Sequence, residues 1–555
     1  MCSGSHALVG RTLTMAGSVD AAAVIVTDGR ISAVGGPEVA AQARAAGLAI
    51  EQLPDAHVIL PGFVDAHVHY EGLSTGRGRG IDCRVPGIRT IDEVLGRLAD
   101  GLARGLTTGG WLIGYANLFF DQKLAEHRLP RREELDRVST TTPIVVHCGG
   151  HTSVLNTPAL ELAQAERFLS GAEGLWGAPV IGIGANGRPN GVVSEIDRLL
   201  PIPEPDAETH ARYLRDGFTD LFTRYGVTTI GEMAESSQSV NLIDGLLTRG
   251  EIAGRIVGYA LAPSFLPLHE ASRWAAEYTS SAGPDSFHFA GVKMFADGGY
   301  SSRNAATRQA YVAEHAPRRG YAGQLNLTRA RIAEAVRSTR EHGIMLAVHG
   351  NGTRAQDEIL AGVADAGGAQ DNLPVRVEHL GNLLGARTDI ASWRATNVIP
   401  VMQPGFLYNF IGDFVPLLLG SPGTTGRIPT KTILEEGVTP VFSSDVALGA
   451  EAGGSSPLFN IWCAVARRSY WDLHVEPEEA ITVAQALRLY TIEGARALGM
   501  QDRIGSIEVG KLADVVILDR DPRAVPIDEL PSIEVEKVFV GGKVAFERVE
   551  GGVRW

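Results

Sequence analysis

Eight short, β-rich apolar runs recur between residues 57 and 445, and this repetition constrains the fold more than any other feature of the chain. They are HVILPGFVDAHVH from 57, GVTTIGEM from 226, RIVGYAL from 255, GVKMFADGG from 291, IMLAVHG from 344, VRVEHLG from 375, NVIPVMQ from 397 and VTPVFSSD from 438. Runs of this length also occur as buried helix, so the intervening segments decide. LTRARIAEAVRSTREHG, 327–343, has apolar residues at helical spacing and ends at Gly343, a candidate C-cap, before the run at 344. Strands that alternate with helices form a parallel sheet, and eight of them is the count of a closed (β/α)8 barrel, or TIM barrel.

The ends of the chain read differently. AAAVIVTDGRISAVGG near the start places two β-rich runs around Asp-Gly, a strong hairpin signal. KLADVVILD and VEKVFVGGKVAFE near the end run or alternate apolar and turn at Gly-Gly. Both termini are therefore expected in one small β-sandwich domain, over 1–60 and 500–555, with the barrel over 61–499. About 150 residues separate the first run from the second, far more than a β/α connection needs. This insertion, at about 72–225, carries GWLIGYA, TPIVVHC and a glycine-rich stretch at 177–191, and is expected over the barrel mouth.

Charge and cysteine usage exclude several functions. With 555 residues and a net charge of −14, the chain has no basic footprint for nucleic acid or an acidic membrane surface, and a small neutral or cationic molecule is the better-matched ligand. No window reaches bilayer-spanning length, and Cys2, Cys83, Cys148 and Cys463 form no C-x-x-C pair, so a cytoplasmic protein without disulfides is expected. A homodimer is left open.

Metal-competent side chains stand where the runs end. His67 and His69 are two apart on a strand and so share a face. Lys293 lies in the fourth run, His349 closes the fifth, His379 the sixth and Asp445 the eighth. In a barrel those ends converge on one face, where active sites are built. Imidazole and carboxylate suit zinc and related divalent ions. An ammonium does not, but a desolvated lysine can lose its proton, and the neutral amine can take up carbon dioxide as an anionic carbamate.

These residues, with PGFVDAH before the second histidine and SSD at the eighth strand, resemble the metal-dependent amidohydrolase superfamily. GWLIGYANLFFDQ, CGGHTSVLNTPAL, GVKMFADGGYSSRNA and GKLADVVILDRDP are similar to the patterns of amidohydrolase family 3, the YtcJ-like and N-substituted formamide deformylase-like branch. The resemblance implies His67, His69, Lys293 and Asp445 around one divalent metal, zinc first, with an N6-carboxylated Lys293, His349 and His379 around a second. The alternative is a one-metal site with an unmodified lysine. It also implies hydrolysis of a non-peptide C–N bond, amide or formamide, by a metal-held hydroxide, with Asp445 as base and then acid. The same site could serve ester or lactone hydrolysis or decarboxylation, and a non-catalytic barrel is the rival from another class. Where relatives read HAxGD after the fifth strand, this chain reads HGNGT, so Thr353 replaces an aspartate and the support of His349 is expected to differ.

Further candidates lie around that set. His151 could hydrogen-bond substrate or oxyanion, or structure a glycine-rich turn. Trp111 and Tyr115 could wall an apolar pocket or belong to a core. Asp297 with Gly298, and Glu232 at the end of the second strand, are candidates for the substrate site. Phe406 and Tyr408, after the seventh strand, point to an apolar or aromatic substrate.

Overall fold

The computed structural model describes residues 4–17, 20–170, 179–420, 424–549 and 552–554. Cys2 and the first two residues of the glycine-rich stretch lie outside them.

The barrel strands are β1 (Phe63–Val68), β2 (Val227–Ala234), β3 (Arg255–Leu261), β4 (Phe287–Phe295), β5 (Met345–His349), β6 (Val375–Glu378), β7 (Ile399–Met402) and β8 (Val441–Phe442). They hydrogen-bond in chain order into one parallel eight-stranded sheet. Each overlaps one of the apolar runs, β4 starting four residues before its own. The runs are apolar throughout because helices cover the outside while the inside packs on itself, so β1, β2 and β3 are buried at every position. The sheet closes just beyond β8: the Asp445 N–H donates to the His67 carbonyl at 2.9 Å, the His69 N–H to the Val446 carbonyl at 3.2 Å, and the Ser444 N–H to Asp65 Oδ1 at 2.9 Å.

The first run is two strands rather than one. Val58–Pro61 belongs to the terminal sheet and β1 to the barrel, with Gly62 between them. A Cβ at Gly62 would stand 2.2 Å from the Thr228 hydroxyl, so the crossing between the sheets needs glycine.

The termini meet, as one nine-stranded hydrogen-bonded sheet in which Val58–Pro61 joins His6–Thr12 to Val515–Leu518. Leu8, Val24, Ile59, Val515 and Phe539 form one core on it. Ala7, Val9 and Ile25 form another, with Val39 and Ala43 of the helix Pro37–Ala45. Both expected hairpin turns are present, with left-handed φ at Asp28-Gly29 (50° and 78°) and Gly541-Gly542 (55° and 71°).

The insertion builds a six-stranded sheet in the order Val180–Ile183, Pro189–Ser194, Thr152–Leu155, Ile144–Cys148, Leu112–Ala116, Ile81–Asp82. A buried ion pair ties it to the barrel loops: Lys123 Nζ donates to Glu451 at 2.5 Å and to Asn409 at 2.6 Å. Among the described residues, no helix is long and apolar enough to cross a membrane.

Candidate metal centre and active-site cavity

The histidines of β1 and the aspartate after β8 meet at the barrel seam. His67 Nε2 and His69 Nε2 each lie 3.5 Å from Asp445 Oδ1, and one ligand atom from each of the three residues falls within 4.8 Å of the others. Lys293 Nζ, from the middle of the barrel, is 3.3 Å from His67 Nε2. His379 completes a chain of rings, 5.5 Å from His67 and 4.5 Å from His349 between centroids. The expected six side chains are thus gathered at one end of the barrel.

Their outer nitrogens are held from behind. His67 Nδ1 is 2.6 Å from Glu378 Oε2, and Glu378 is in turn ion-paired to Arg376, whose guanidinium lies 4.5 Å over the Tyr259 ring. A carboxylate can only accept, so Nδ1 carries the proton and Nε2 presents its lone pair to the site. His379 Nδ1 is 2.8 Å from Gln403 Oε1, which Asn382 Nδ2 also approaches at 2.6 Å. His349 Nε2 lies 3.5 Å from Asp297 Oδ1 and 3.4 Å from the Gly298 carbonyl. Two of the gathered residues, His379 (φ 70°) and Asp445 (φ 46°), adopt the left-handed backbone that side chains other than glycine rarely take. Such strain concentrates where neighbours over-determine a functional geometry.

Burial sets the protonation states. It holds His67 and His349 well below the ordinary imidazole range, with Lys293 and His379 adding repulsion, and lowers His379 to about 3. It also depresses Lys293 to about 8, against the opposing pull of Glu378 and Asp445, and raises Asp445 to about 7 despite Lys293. Lone-pair nitrogens, a carboxylate oxygen and a lysine poised to lose its proton form a donor set suited to a divalent cation.

A cavity of about 320 Å³ opens above this set. Its floor carries His69, His349, His379 and Asp445. His147, His151 and Asp197 of the insertion reach it from above, and Phe119, Phe406 and Phe410 line it too. His151 Nδ1 is 3.0 Å from Glu195 Oε2, and His147 Nδ1 is 2.9 Å from Ser153 Oγ and 3.6 Å from Asp197. His151 and Phe406 both line the cavity, with Phe406 stacked 6.2 Å from His379 at 15°.

Other candidates stand elsewhere. Trp111 is a core residue: it is buried with Ile113, Val145 and Leu155 inside the insertion, because its neighbour strand turns that face inward. Tyr115 borders a separate cavity of about 200 Å³, under Arg84 at 5.4 Å. Glu232 is fully enclosed, and burial pushes its carboxyl up to about 8 even though it accepts the N–H groups of Tyr70 and Glu71, which favour the charged form. Asp297 accepts three backbone N–H groups, from Ala306, Asn351 and Gly352, and so braces the loops around His349. Tyr408 packs edge-on against Phe459, Trp462 and Tyr470, away from the cavity. Thr353 accepts the Arg308 N–H through Oγ1, and the carboxylate nearest His349 is Asp297.

Residues 56–546 match the model of the amidohydrolase family. The chain belongs to the amidohydrolase family. As such it is a hydrolase of carbon–nitrogen bonds other than peptide bonds. It is 28% identical over 549 residues to N-substituted formamide deformylase of Arthrobacter pascens, covering 95% of each chain. It is 26% identical over 542 residues to YtcJ of Bacillus subtilis strain 168, assigned as an amidohydrolase, covering 95% of this chain and 96% of YtcJ. Among solved structures, an uncharacterised metal-dependent hydrolase from Pyrococcus horikoshii OT3 superposes with a TM-score of 0.72 at 22% identity, over 94% of this amidohydrolase and 99% of that chain. That likeness is one of fold.

Proposed function

We propose that this amidohydrolase is a cytoplasmic metal-dependent enzyme that hydrolyses an N-substituted amide or formamide. The observation that carries the reading is the convergence of His67, His69 and Asp445 within 4.8 Å, beside the Lys293 amine, with His69 and Asp445 on the floor of the cavity. His67, His69, Lys293 and Asp445 would hold one divalent cation, zinc by the chemistry of these donors, and His349 and His379 would hold a second through an N6-carboxylated Lys293. When bound, such a cation supplies Lewis acidity, acidifying water and polarising a carbonyl. The cytoplasmic setting is supported by Cys83, Cys148 and Cys463, which are buried free thiols.

The protein groups then have separate tasks. Asp445 accepts the proton that water loses as its oxygen bonds to the carbonyl carbon, and passes that proton to the nitrogen as the C–N bond breaks. Without it the amine would leave as an amide anion. His151, oriented by Glu195, donates from Nε2 to the oxygen of the tetrahedral intermediate. Phe406, with Phe119 and Phe410, excludes water from an apolar part of the substrate.

The formamide relative makes N-substituted formamides the first substrates to try. Purified protein is assayed by benzylamine release from N-benzylformamide and N-benzylacetamide and by benzyl alcohol release from the matching benzyl esters, before and after chelation. The reading expects amide or formamide turnover that chelation abolishes and zinc restores. Turnover of esters alone, or turnover indifferent to chelation, would overturn it.

A further inference from the structure

One cation in the cavity wall lacks an adequate partner. Helix α1 (Tyr70–Arg79) starts directly after His69 and runs away from the metal centre. Gly72, Thr75, Gly76 and Arg79 line the cavity from it, a stripe at helical spacing. Arg79 is mostly enclosed, with its side chain 17% exposed, and its Nε and Nη1 atoms are buried without a hydrogen-bond acceptor. Among the described residues, the carboxylate in ion-pair range is Glu204, 3.8 Å from Nη1 and itself 71% exposed. A contact that long with a solvated side chain compensates little of the cost of burying a guanidinium. Thr75 Oγ1, one turn back on the same stripe, is also buried without a partner.

The acids of the cavity are differently placed. Glu71 lies 3.2 Å from His210 Nε2, Asp197 accepts from the Ser153 hydroxyl, and Glu235 is 3.9 Å from His69 Nδ1. Arg79 is the one lysine or arginine among the described residues that line the cavity, which also present the carboxylates of Glu71, Asp197, Glu204, Glu235 and Asp445, with Asp197 Oδ2 likewise buried without a donor. We propose that Arg79, with Thr75, binds a carboxylate at the far end of the substrate, so that the natural substrate is an amide or formamide with an acidic terminus. This rests on the hydrolase reading for the reacting end only. The planar fork of arginine matches a carboxylate in a bidentate pair, and the threonine hydroxyl adds a third donor.

The helix also sets the length of the substrate. His69 and Arg79 are ten residues apart, about 15 Å along an α-helix, and side chains lean back toward the helix start, so guanidinium and reacting carbonyl stand about 10 Å apart. Leu73, Phe119, Phe406 and Leu448 border the space between them, which suits an apolar spacer.

The test compares N-formyl-ω-amino acids of increasing chain length with N-formylalkylamines of the same length, and measures octanoate binding to the holoenzyme by calorimetry, in the wild type and in Arg79→Gln and Arg79→Lys. We expect the acid-bearing formamides to be preferred about 10–100-fold in kcat/KM through a lower KM, with an optimum spacer length, and that ratio to collapse in Arg79→Gln with partial recovery in Arg79→Lys. Octanoate binding should weaken by a similar factor in Arg79→Gln. Equal kcat/KM for acid and alkyl formamides, or octanoate affinity unchanged by Arg79→Gln, would overturn the assignment while leaving the hydrolase reading intact. If no formamide or amide is turned over but octanoate binding still depends on Arg79, the reaction has been misread and the carboxylate site stands.

Discussion

Replacing Glu378 with glutamine separates the stability of the barrel from the poise of its metal centre. Glu378 and Arg376 face the barrel interior from β6, both with no exposed side-chain surface, and Glu378 also receives His67 Nδ1 at 2.6 Å. The glutamine is nearly isosteric but neutral, so the Arg376 guanidinium loses its counter-charge in a site without water access. Breaking one side of a buried pair costs about 3–5 kcal/mol. Arg376 keeps its bond to the Ala66 carbonyl at 2.7 Å and its place over Tyr259, which favours the lower end of that range. His67 loses its carboxylate partner at the same time, and loss of such support lowers metal affinity by about 10–100-fold. Urea denaturation of metal-free protein reads the first quantity, and competition with a chromophoric zinc chelator reads the second. The double variant Arg376→Met/Glu378→Leu divides the two effects: with no unpaired charge left, most of the stability should return, while zinc affinity stays low. Glu378→Gln within about 1 kcal/mol of wild type, or zinc affinity recovered in the double variant, would refute the argument that this carboxylate serves both the fold and His67.

Three further outcomes are expected. Asp445→Asn keeps a metal-ligating oxygen but cannot take a proton, so kcat should fall about 10³-fold while zinc content, measured by mass spectrometry, stays near wild type; near-normal turnover would remove Asp445 from proton transfer. Trp111→Ala should lower stability by about 3–5 kcal/mol in urea without raising KM, because the ring fills the insertion core rather than the cavity, and a selective KM effect would contradict that placement. Gly231→Ala would set a Cβ 2.1 Å from the Ala66 carbonyl between β1 and β2, so a loss of at least about 1–3 kcal/mol is expected, and a neutral result would mean that the strands can part there.

The barrel and the side chains it gathers were legible because each strand overlaps an apolar run and five of those runs carry a histidine, lysine or aspartate, a pattern that survives without knowledge of the connections. The support behind these side chains was partly legible. VRVE in the sixth run sets opposite charges two apart in a strand enclosed on both faces, which is the mark of the buried Arg376–Glu378 pair, though nothing local joins it to His67 more than 300 residues earlier. Gln403 likewise closes its run unremarkably, and only the barrel brings it to His379. Helix α1 was hidden by its composition: YEGLSTGRGR holds three glycines and reads as a loop, yet packing against the helix Ala207–Leu221 holds it helical, with Gly217 touching Ser74. Arg79 could not be placed at the cavity until that helix was seen. Trp111 and Tyr115 show the opposite case, in which an aromatic pair at i and i+4 could wall a pocket or fill a core; Trp111 precedes the strand Leu112–Ala116 and is buried in the insertion core, while Tyr115, within the strand, borders a separate cavity.

The central claim is that the barrel gathers donors from β1, β4, β5, β6 and β8 into a cage for divalent metal. Zinc-edge anomalous diffraction on crystals of the zinc-loaded protein tests it most directly. The account predicts one or two anomalous peaks at the barrel mouth, the first at about 2.0–2.2 Å from His67, His69 and Asp445. Zinc-loaded crystals with no peak there, or with zinc only at surface residues, would contradict it.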